Sequence, residues 1–223
     1  MQAKIRFFLA TTDCSIADLV RNAKAAARQP SGRIMVEDVA DDGLSITLRV
    51  FFSRTISIAR RRDDGEVIWE PVETVDQVLV RMFKGKKTIV LSAINPPRSS
   101  KYVDILMSEV VGQSGYFYEP LEISEATIKK HVSKFDLARL VSAKVKDFAV
   151  YEGAVGRFEV TSKHGLKNDI APFLDGKYYR LDSLTYEVTH KFVTFLIMYS
   201  SNGALKVNDN YLDMLLPSFE KLI

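Results

Sequence analysis

The sequence predicts an α+β protein: a mixed sheet with a central β-α-β unit, followed by a mainly antiparallel C-terminal half with a closing helix. A strand pattern, a helix pattern and a second strand pattern follow one another from Lys86 to Ile123, which is enough chain for a parallel crossover. After Asp136 the apolar residues mostly follow strand patterns, and helical spacing returns only near the C-terminus. The 223 residues are 47% apolar, which is sufficient for a packed core.

Two tightly packed halves, or one single domain, are expected from this pattern. Residues 1–123 would form an α/β half with a hairpin and the β-α-β unit. Residues 124–223 would form a helix followed by an antiparallel β half. Because no internal repeat and no linker rich in Pro, Gly or Ser is visible, only the change of pattern near Ser124 to Asp136 marks a boundary.

The first half begins with a strand and a well-marked helix. Ser15 and Asp18 have the spacing of a capping box, which predicts that a helix starts there. Alternating apolar residues from Leu44 to Phe52 predict a half-buried strand, and we expect a bulge or turn at Arg54, where the alternation breaks. Asp63-Asp64-Gly65 then predicts a hairpin tip, with a returning strand after it.

Helices are expected at three later positions. Thr74 and Gln77 have capping-box spacing, and the apolar residues from Val75 to Phe83 fit one helical face, so this stretch is predicted to be an amphipathic helix. Ser124 is predicted to cap a further helix, and Asp209 or Asn210 the closing one.

The sequence offers no catalytic or metal-binding signature. Its three histidines are isolated, without a second ligand at i+3 or i+4, so we predict no metal site and no cofactor. Cys14 at a helix start fits either a small residue near a cap or a reactive thiol. Asp175 and Lys177 leave a nuclease as a weak alternative, although Asp-Gly-Lys is also an ordinary turn.

Positive charge is concentrated in the middle of the chain, while the formal net charge is only +3. A nucleic-acid role therefore requires clustering of the basic side chains. If the basic segments share one face, they would contact phosphates with strong salt dependence and little sequence preference. The predicted contacts are Arg54, Arg60, Arg61, Arg62, Lys84, Lys86, Lys87, Arg98 and Lys101.

The segment KKTIVLSAINPPRSSKYVDILMSEVVGQSGYFYEPLEI, whose most recognisable part is Glu119-Pro120-Leu121, resembles two protein families. These are the RdgC recombination-associated family and the RexA phage-exclusion family; the segment more loosely resembles the KwaB subunit of an anti-phage system. The resemblance implies an α+β fold, self-association and binding of double-stranded DNA without strong sequence preference. It covers less than a fifth of the chain and assigns no binding residue.

We therefore expect a non-enzymatic, cytoplasmic protein that binds duplex DNA, forms a homodimer or larger assembly, and acts in antiviral defence against phage or in recombination. The alternative is a protein-interaction subunit, such as an adaptor or inhibitor, without affinity for nucleic acid. A single cysteine and the absence of a signal-peptide pattern favour a reducing compartment, and no apolar run is long enough for a membrane span.

Overall fold

The computed structural model describes residues 1–29, 32, 34–85, 88–99, 101–112, 114–166 and 178–223. The described chain divides into two compact units. The N-terminal unit is Leu9–Tyr118, and the C-terminal unit combines Met1–Phe8 with Glu119–Ile223. Mostly antiparallel strands and four helices make up the described residues, which confirms the predicted α+β class.

The helices and strands of the first half of the chain follow one another in this order: β1 Gln2–Thr12, α1 Ile16–Arg28, β2 Ile34–Asp41, β3 Ser45–Arg61, β4 Val67–Lys84, β5 Ile89–Ile94, α2 Lys101–Val111 and β6 Tyr116–Pro120. Those of the second half are α3 Glu125–Val132, β7 Leu137–Tyr151, β8 Ala154–Leu166, β9 Arg180–His190, β10 Val193–Ser200, β11 Ala204–Asn208 and, after a 3₁₀ turn at Asp209–Tyr211, α4 Leu212–Glu220.

In the N-terminal unit, β2, β3, β4 and β5 form an antiparallel meander in that order. The inward side chains of its strands are almost entirely buried, for example Leu48, Val80 and Leu91. Helix α2 contributes Leu106 and Met107, which are also fully buried. Burial of these side chains holds the unit together, at about 1.5–3 kcal/mol for each large apolar side chain.

In the C-terminal unit, the strand order is β1, β11, β10, β9, β7 and β8. Residues Gln2–Arg6 of β1 pair with β11, and the later pairings are also antiparallel. Tyr199, Ile197 and Phe219 are fully buried in this unit. A turn at residues 201–203 connects β10, which ends at Ser200, to β11, which begins at Ala204.

The order of elements repeats between the two halves. Strand–helix–four strands–helix describes β1 to α2, and the same order describes β6 to α4 when β8 is set aside. The pairings agree as well: β2-β3-β4-β5 corresponds to β7-β9-β10-β11, and β8 is an additional edge strand on β7. We conclude that one supersecondary arrangement occurs twice, although no repeat is visible in the sequence.

Local packing supports this correspondence. Ser15 caps α1, whose buried residues Leu19 and Ala23 lie four and eight positions after the cap. Ser124 caps α3, which buries Ile128 and Val132 at the same two spacings. Both caps are confirmed predictions. Two helices of different sequence therefore bury apolar residues at the same two distances from their caps, and α3 buries His131 in addition.

The stretch predicted as an amphipathic helix, from Thr74 to Phe83, is instead part of β4, so that prediction is wrong. Val78, Val80 and Met82 are buried while Leu79 is 38% exposed, which is a period of two. Continuous pairing with β3 and three β-branched valines favour the strand, because such side chains fit a pleated surface. Tertiary pairing thus overrides an apparent capping box.

One further expectation is wrong. No bulge occurs at Arg54, because the register between β3 and β4 is continuous through this residue. The strand–helix–strand order of the central segment is present, and its second strand, β6, pairs with β1. The amide of Leu121, just after β6, donates a hydrogen bond of 3.0 Å to the carbonyl of Phe7.

Candidate functional site

The most distinctive surface feature is a two-stranded ribbon in the N-terminal unit. Strands β3 and β4 pair over seventeen positions, but β2 accompanies β3 only as far as Phe52, and β5 accompanies β4 only from Leu79. The nine pairs from Ser53–Val75 to Arg61–Val67 have no third strand within the described residues. We call these residues the arm; it is roughly 27 Å long at the usual rise per residue.

Every side chain of the arm is exposed or half-buried, whereas the same two strands have buried side chains where they enter the sheet. Phe52 is 5% exposed and Val78 is inaccessible, whereas Trp69 of the arm is 69% exposed. Further exposed apolar side chains of the arm are Ile58, Val67, Val72 and Val75. A two-stranded ribbon is marginally stable in water by itself, so this apolar surface is energetically costly unless something covers it.

Most of the positive charge on the arm and its tip is compensated by carboxylates. Residues 53–76 contain four arginines and six acidic residues, so this stretch is acidic overall. Three of the arginines form ion pairs within the hairpin: Arg54 with Asp76 at 2.9 Å, Arg60 with Glu70 at 3.3 Å and Arg62 with Glu66 at 3.9 Å. These exposed pairs contribute little to stability, but they reduce the positive potential that a phosphate would meet.

The predicted phosphate-contacting residues that the structure describes lie at three positions: the tip of the arm, the C-terminal end of β4, and a cleft beside the base of the arm. Arg60, Arg61 and Arg62 are at the tip of the arm, where the predicted hairpin turn is confirmed. Lys84 is at the opposite end of β4, beside Ile89. Lys86 and Lys87 lie outside the described residues, as do Asp175 and Lys177 of the nuclease alternative.

Three of the predicted basic residues line one cavity, beside the base of the arm. Arg54, Arg98 and Lys101 line a cavity of about 710 Å³ between β3, β4 and the start of α2. Phe52 and Tyr102 provide its buried aromatic wall, with ring centroids 5.8 Å apart. We call this cavity the basic cleft. Three cations and one carboxylate, that of Asp76, leave it positively charged overall.

Cys14 lies in a second cavity, of about 560 Å³, at the start of α1. Lys84 also lines this cavity. The Cys14 thiol is half-buried and donates a hydrogen bond of 3.6 Å to the carbonyl of Val111. That contact gives the thiol a structural role in joining α1 to α2.

His131 is buried in the C-terminal unit and fully hydrogen-bonded. Its Nδ1 atom lies 2.7 Å from the hydroxyl of Tyr199, and its Nε2 atom 2.7 Å from the hydroxyl of Ser218. Burial, with Lys134 nearby, lowers the pKa of His131 to about 4. Among the described residues no group of three His, Cys, Asp or Glu side chains is arranged to hold a metal ion.

Sequence reasoning identified the arginines of the arm but missed its apolar residues. The available signal was the composition of residues 67–75, in which Ile, Val and Trp occur at both odd and even positions of one strand. A half-buried strand places apolar residues at alternate positions only. Apolar residues on both faces of an unflanked ribbon therefore indicate contact with another molecule.

Comparison with known proteins gives no family. No family model matches the sequence, and no curated protein matches it. Among solved structures, the chain is similar to DynU16, a protein in the dynemicin biosynthetic locus, with 11% identity over 96% of this chain and 92% of that chain. The TM-score of 0.18 is too low to support an inference from this likeness. In the described part of the chain, no helix has the length and apolar character needed to cross a membrane.

Proposed function

We propose that this protein is a non-enzymatic interaction subunit that docks onto a protein chain through the arm. The observation that carries the proposal is the exposed apolar surface of the arm, centred on Trp69. Aromatic residues with a large exposed area are typical anchors of protein interfaces. The open edges of the two strands add hydrogen-bonding groups that another strand can use.

Electrostatics favour a protein over nucleic acid as the partner of the arm. A nucleic acid presents one negative charge per nucleotide and is bound by surfaces with excess cations. The hairpin carries more carboxylates than arginines, and Arg54, Arg60 and Arg62 already contact carboxylates of their own chain. A protein partner meets no such penalty, because paired charges at the rim of an interface cost little.

The test uses a chain whose arm is removed without disturbing the sheet. Because Arg54 is paired with Thr74, residues 55–73 can be replaced by Asn-Gly, which forms a two-residue hairpin turn at this position. The intact and shortened proteins are immobilised and exposed to extract from the cells that express the protein. Partners recovered quantitatively by the intact chain and lost with the shortened chain are expected.

A purified partner then provides the direct measurement. Trp69 is the only tryptophan of the chain. With a partner that contains no tryptophan, the tryptophan fluorescence of the complex therefore reports on the arm alone. Binding is expected to shift the emission to shorter wavelength, because an indole that is 69% exposed becomes buried. Equal recovery by both chains, with unchanged emission, would refute the proposal.

Binding of duplex DNA is a second candidate, and the basic cleft favours it. Three of the nine predicted contacts, Arg54, Arg98 and Lys101, line this single cavity. We expect Arg98→Glu with Lys101→Glu to weaken duplex binding and to reduce the salt slope of the association constant. The matched control is Arg157→Glu with Lys163→Glu, the same charge change at exposed residues of β8.

Fluorescence anisotropy with duplex DNA, single-stranded DNA and RNA at several salt concentrations measures these effects. Specific loss in the cleft variant supports the candidate. Equal loss in both variants would indicate general attraction to a basic protein, and the absence of binding near physiological salt would exclude this candidate.

A further inference from the structure

We infer that the protein partner of the arm carries an acidic segment, whose carboxylates occupy the basic cleft. This inference rests on the proposed function of the arm and adds the chemistry of the partner. Three observations support it. The cleft is continuous with one face of the arm, it has an excess of cations, and the arm beside it is apolar and acidic.

The basic cleft and one face of the arm form a continuous surface. Side chains alternate between the two faces of a strand, so Arg54, which lines the cleft, shares its face with Ile56 and Ile58. Val72 lies on the same face, because it is paired with Ile56. Ile58 is roughly 14 Å along the strand from Arg54. A short protein segment that contacts these apolar side chains therefore reaches the cleft.

The cleft has the charge of an anion-binding site. Arg54, Arg98 and Lys101 line it, and Asp76 is the only carboxylate among its described lining residues. The ion pair of Arg54 with Asp76 uses the Nε atom, at 2.9 Å, so the two terminal nitrogens of Arg54 can donate to a further acceptor. Helix α2 begins at Lys101, which places the positive end of its dipole at the wall of the cleft.

The shape of the cleft suits side chains inserted by a protein. Its volume is about 710 Å³, and its inner wall is formed by Phe52 and Tyr102, which are only 5% and 3% exposed. Pro96 and Pro97 line it as well. An ion pair beside an apolar wall is screened less by solvent than a pair on an open surface, so carboxylates gain more from contact with cations here.

The surroundings of the cleft favour an acidic protein segment over a nucleic acid. Proteins that bind duplex DNA tightly make about six to ten phosphate contacts, whereas this cleft provides three cations. Beyond Arg54, residues 55–76 contain three arginines and six acidic residues. A polyanion that leaves the cleft towards the arm therefore meets repulsion. A protein segment can place carboxylates in the cleft and apolar side chains on Ile58 and Val72, which are 44% and 38% exposed.

Trp69 lies on the other face of the arm. It is paired with Ala59, an odd-numbered position of β3, whereas Arg54 and Ile58 occupy even-numbered positions. Because both faces carry exposed apolar side chains, the partner is expected to cover both. An apolar surface of the partner would bury Trp69, and its acidic segment would lie on the side of the cleft. The fluorescence of Trp69 and the affinity of cleft variants thus report on separate contacts.

A peptide probe tests the acidic segment directly. The probe is fluorescein-labelled Glu-Glu-Glu-Glu-Val-Thr-Val-Thr-Val, and the control peptide has glutamine in place of each glutamate. In fluorescence anisotropy, we expect the intact chain to bind the glutamate peptide at least about tenfold more tightly than the glutamine peptide. The preference should decrease as salt is added. Equal affinities for the two peptides at low salt would overturn the inference.

Two charge-reversed variants locate the binding of the glutamate peptide. Arg98→Glu with Lys101→Glu converts three cations and one carboxylate in the cleft into one cation and three carboxylates. This variant should lose the preference for the glutamate peptide and should instead prefer a peptide with lysine in place of glutamate. Arg157→Glu with Lys163→Glu, the same charge change at exposed residues of β8, should keep the original preference. Equal loss in both variants would show general attraction and would overturn the assignment to the cleft.

Competition tests other occupants of the cleft. The bound glutamate peptide is titrated with a short DNA duplex and, separately, with inorganic phosphate, both at physiological salt. We expect the peptide to remain bound when either competitor matches its charge concentration. Displacement by the duplex would assign the cleft to nucleic acid, and displacement by phosphate would assign it to a small phosphorylated ligand. Either result would overturn the inference.

Recovery of the natural partner separates this inference from the proposed function. We compare the intact chain, the chain with residues 55–73 replaced by Asn-Gly, and the Arg98→Glu, Lys101→Glu chain. Loss of the same partner from both altered chains is expected. Loss from the shortened chain alone would overturn the acidic segment and leave the arm as the docking element. Full recovery by the shortened chain would overturn the proposed function as well.

Discussion

The Nδ1 atom of His131 lies 2.7 Å from the phenol oxygen of Tyr199, and both side chains are buried in the C-terminal unit. Which of these two atoms carries the proton of the hydrogen bond follows from Ser218, the third residue of the network. The Ser218 hydroxyl donates to the carbonyl of Leu215, so it accepts a hydrogen bond from His131 Nε2–H. Nδ1 must then accept from Tyr199, whose pKa is raised by burial and by Tyr186, so that its O–H stays protonated.

This neutral histidine makes stability depend on pH. Burial lowers the pKa of His131 to about 4, against about 6.5 in an unfolded chain. Above pH 6.5 neither state binds the proton, and the full stability is present. As the pH falls from 6.5 towards 4, only the unfolded state takes up the proton, so we expect a loss of up to about 3 kcal/mol.

Urea unfolding between pH 7.5 and pH 4.5 measures this loss. A His131→Gln variant should be less stable at neutral pH but show a smaller decrease over the same range. An identical decrease in both proteins would show that other groups cause the pH dependence.

Tyr199→Phe removes a hydroxyl and leaves the buried Nδ1 of His131 without a donor. We expect a loss of about 1–3 kcal/mol in the free energy of unfolding, the usual cost of an unsatisfied buried acceptor. Tyr178→Phe is the control, because Tyr178 is 69% exposed and its hydroxyl can reach water. Denaturant titration compares the two, and equal losses would contradict the inferred proton arrangement.

Two valines of β4 distinguish the strand from the helix that the sequence suggested. On a helix, residues 75 and 78 share a face and would be buried together. In β4, Val78 is inaccessible and Val75 is 61% exposed. Val78→Ala is expected to cost about 1–3 kcal/mol, and Val75→Ala less than about 0.5 kcal/mol. Similar losses in thermal unfolding of the two variants would contradict the strand assignment.

Gly203 is required by a close approach of backbone. A Cβ at this position would lie 2.5 Å from the carbonyl oxygen of Leu121 and 2.8 Å from that of Phe7, while φ is +78°. Gly153 has the same φ of +78° with no atom within 4 Å of an added Cβ. Gly153→Ala is therefore expected to cost about 1–2 kcal/mol from the left-handed backbone alone.

Gly203→Ala should cost several kcal/mol more, because two carbonyl oxygens must also move. The difference between the two melting temperatures isolates the steric contribution. Comparable melting temperatures would mean that the chain near Leu121 relaxes easily.

Local sequence signals predicted those parts of the fold that depend on few neighbours. The capping box of Ser15 and Asp18 and the tip at Asp63-Asp64-Gly65 are satisfied within a few residues. Such signals survive any tertiary arrangement, because the hydrogen bonds they make are local. The prediction of a helix over Thr74–Phe83 failed for the complementary reason. Its apolar spacing fits both periods, and long-range pairing with β3 decided between them.

The candidate site divides in the same way. The sequence determined which residues are charged, and therefore that residues 53–76 carry more acids than bases. Only the tertiary structure decided that β2 stops at Phe52 while β3 continues, which converts part of an ordinary sheet into an arm. Strand pairing joins residues that are far apart in the chain. The sequence around Ser53 therefore does not reveal where the neighbouring strand β2 stops. The sequence by itself determined the composition and the helix caps. The tertiary structure decided which strand edge is open, that Trp69 is exposed and that Arg54, Arg98 and Lys101 line the basic cleft.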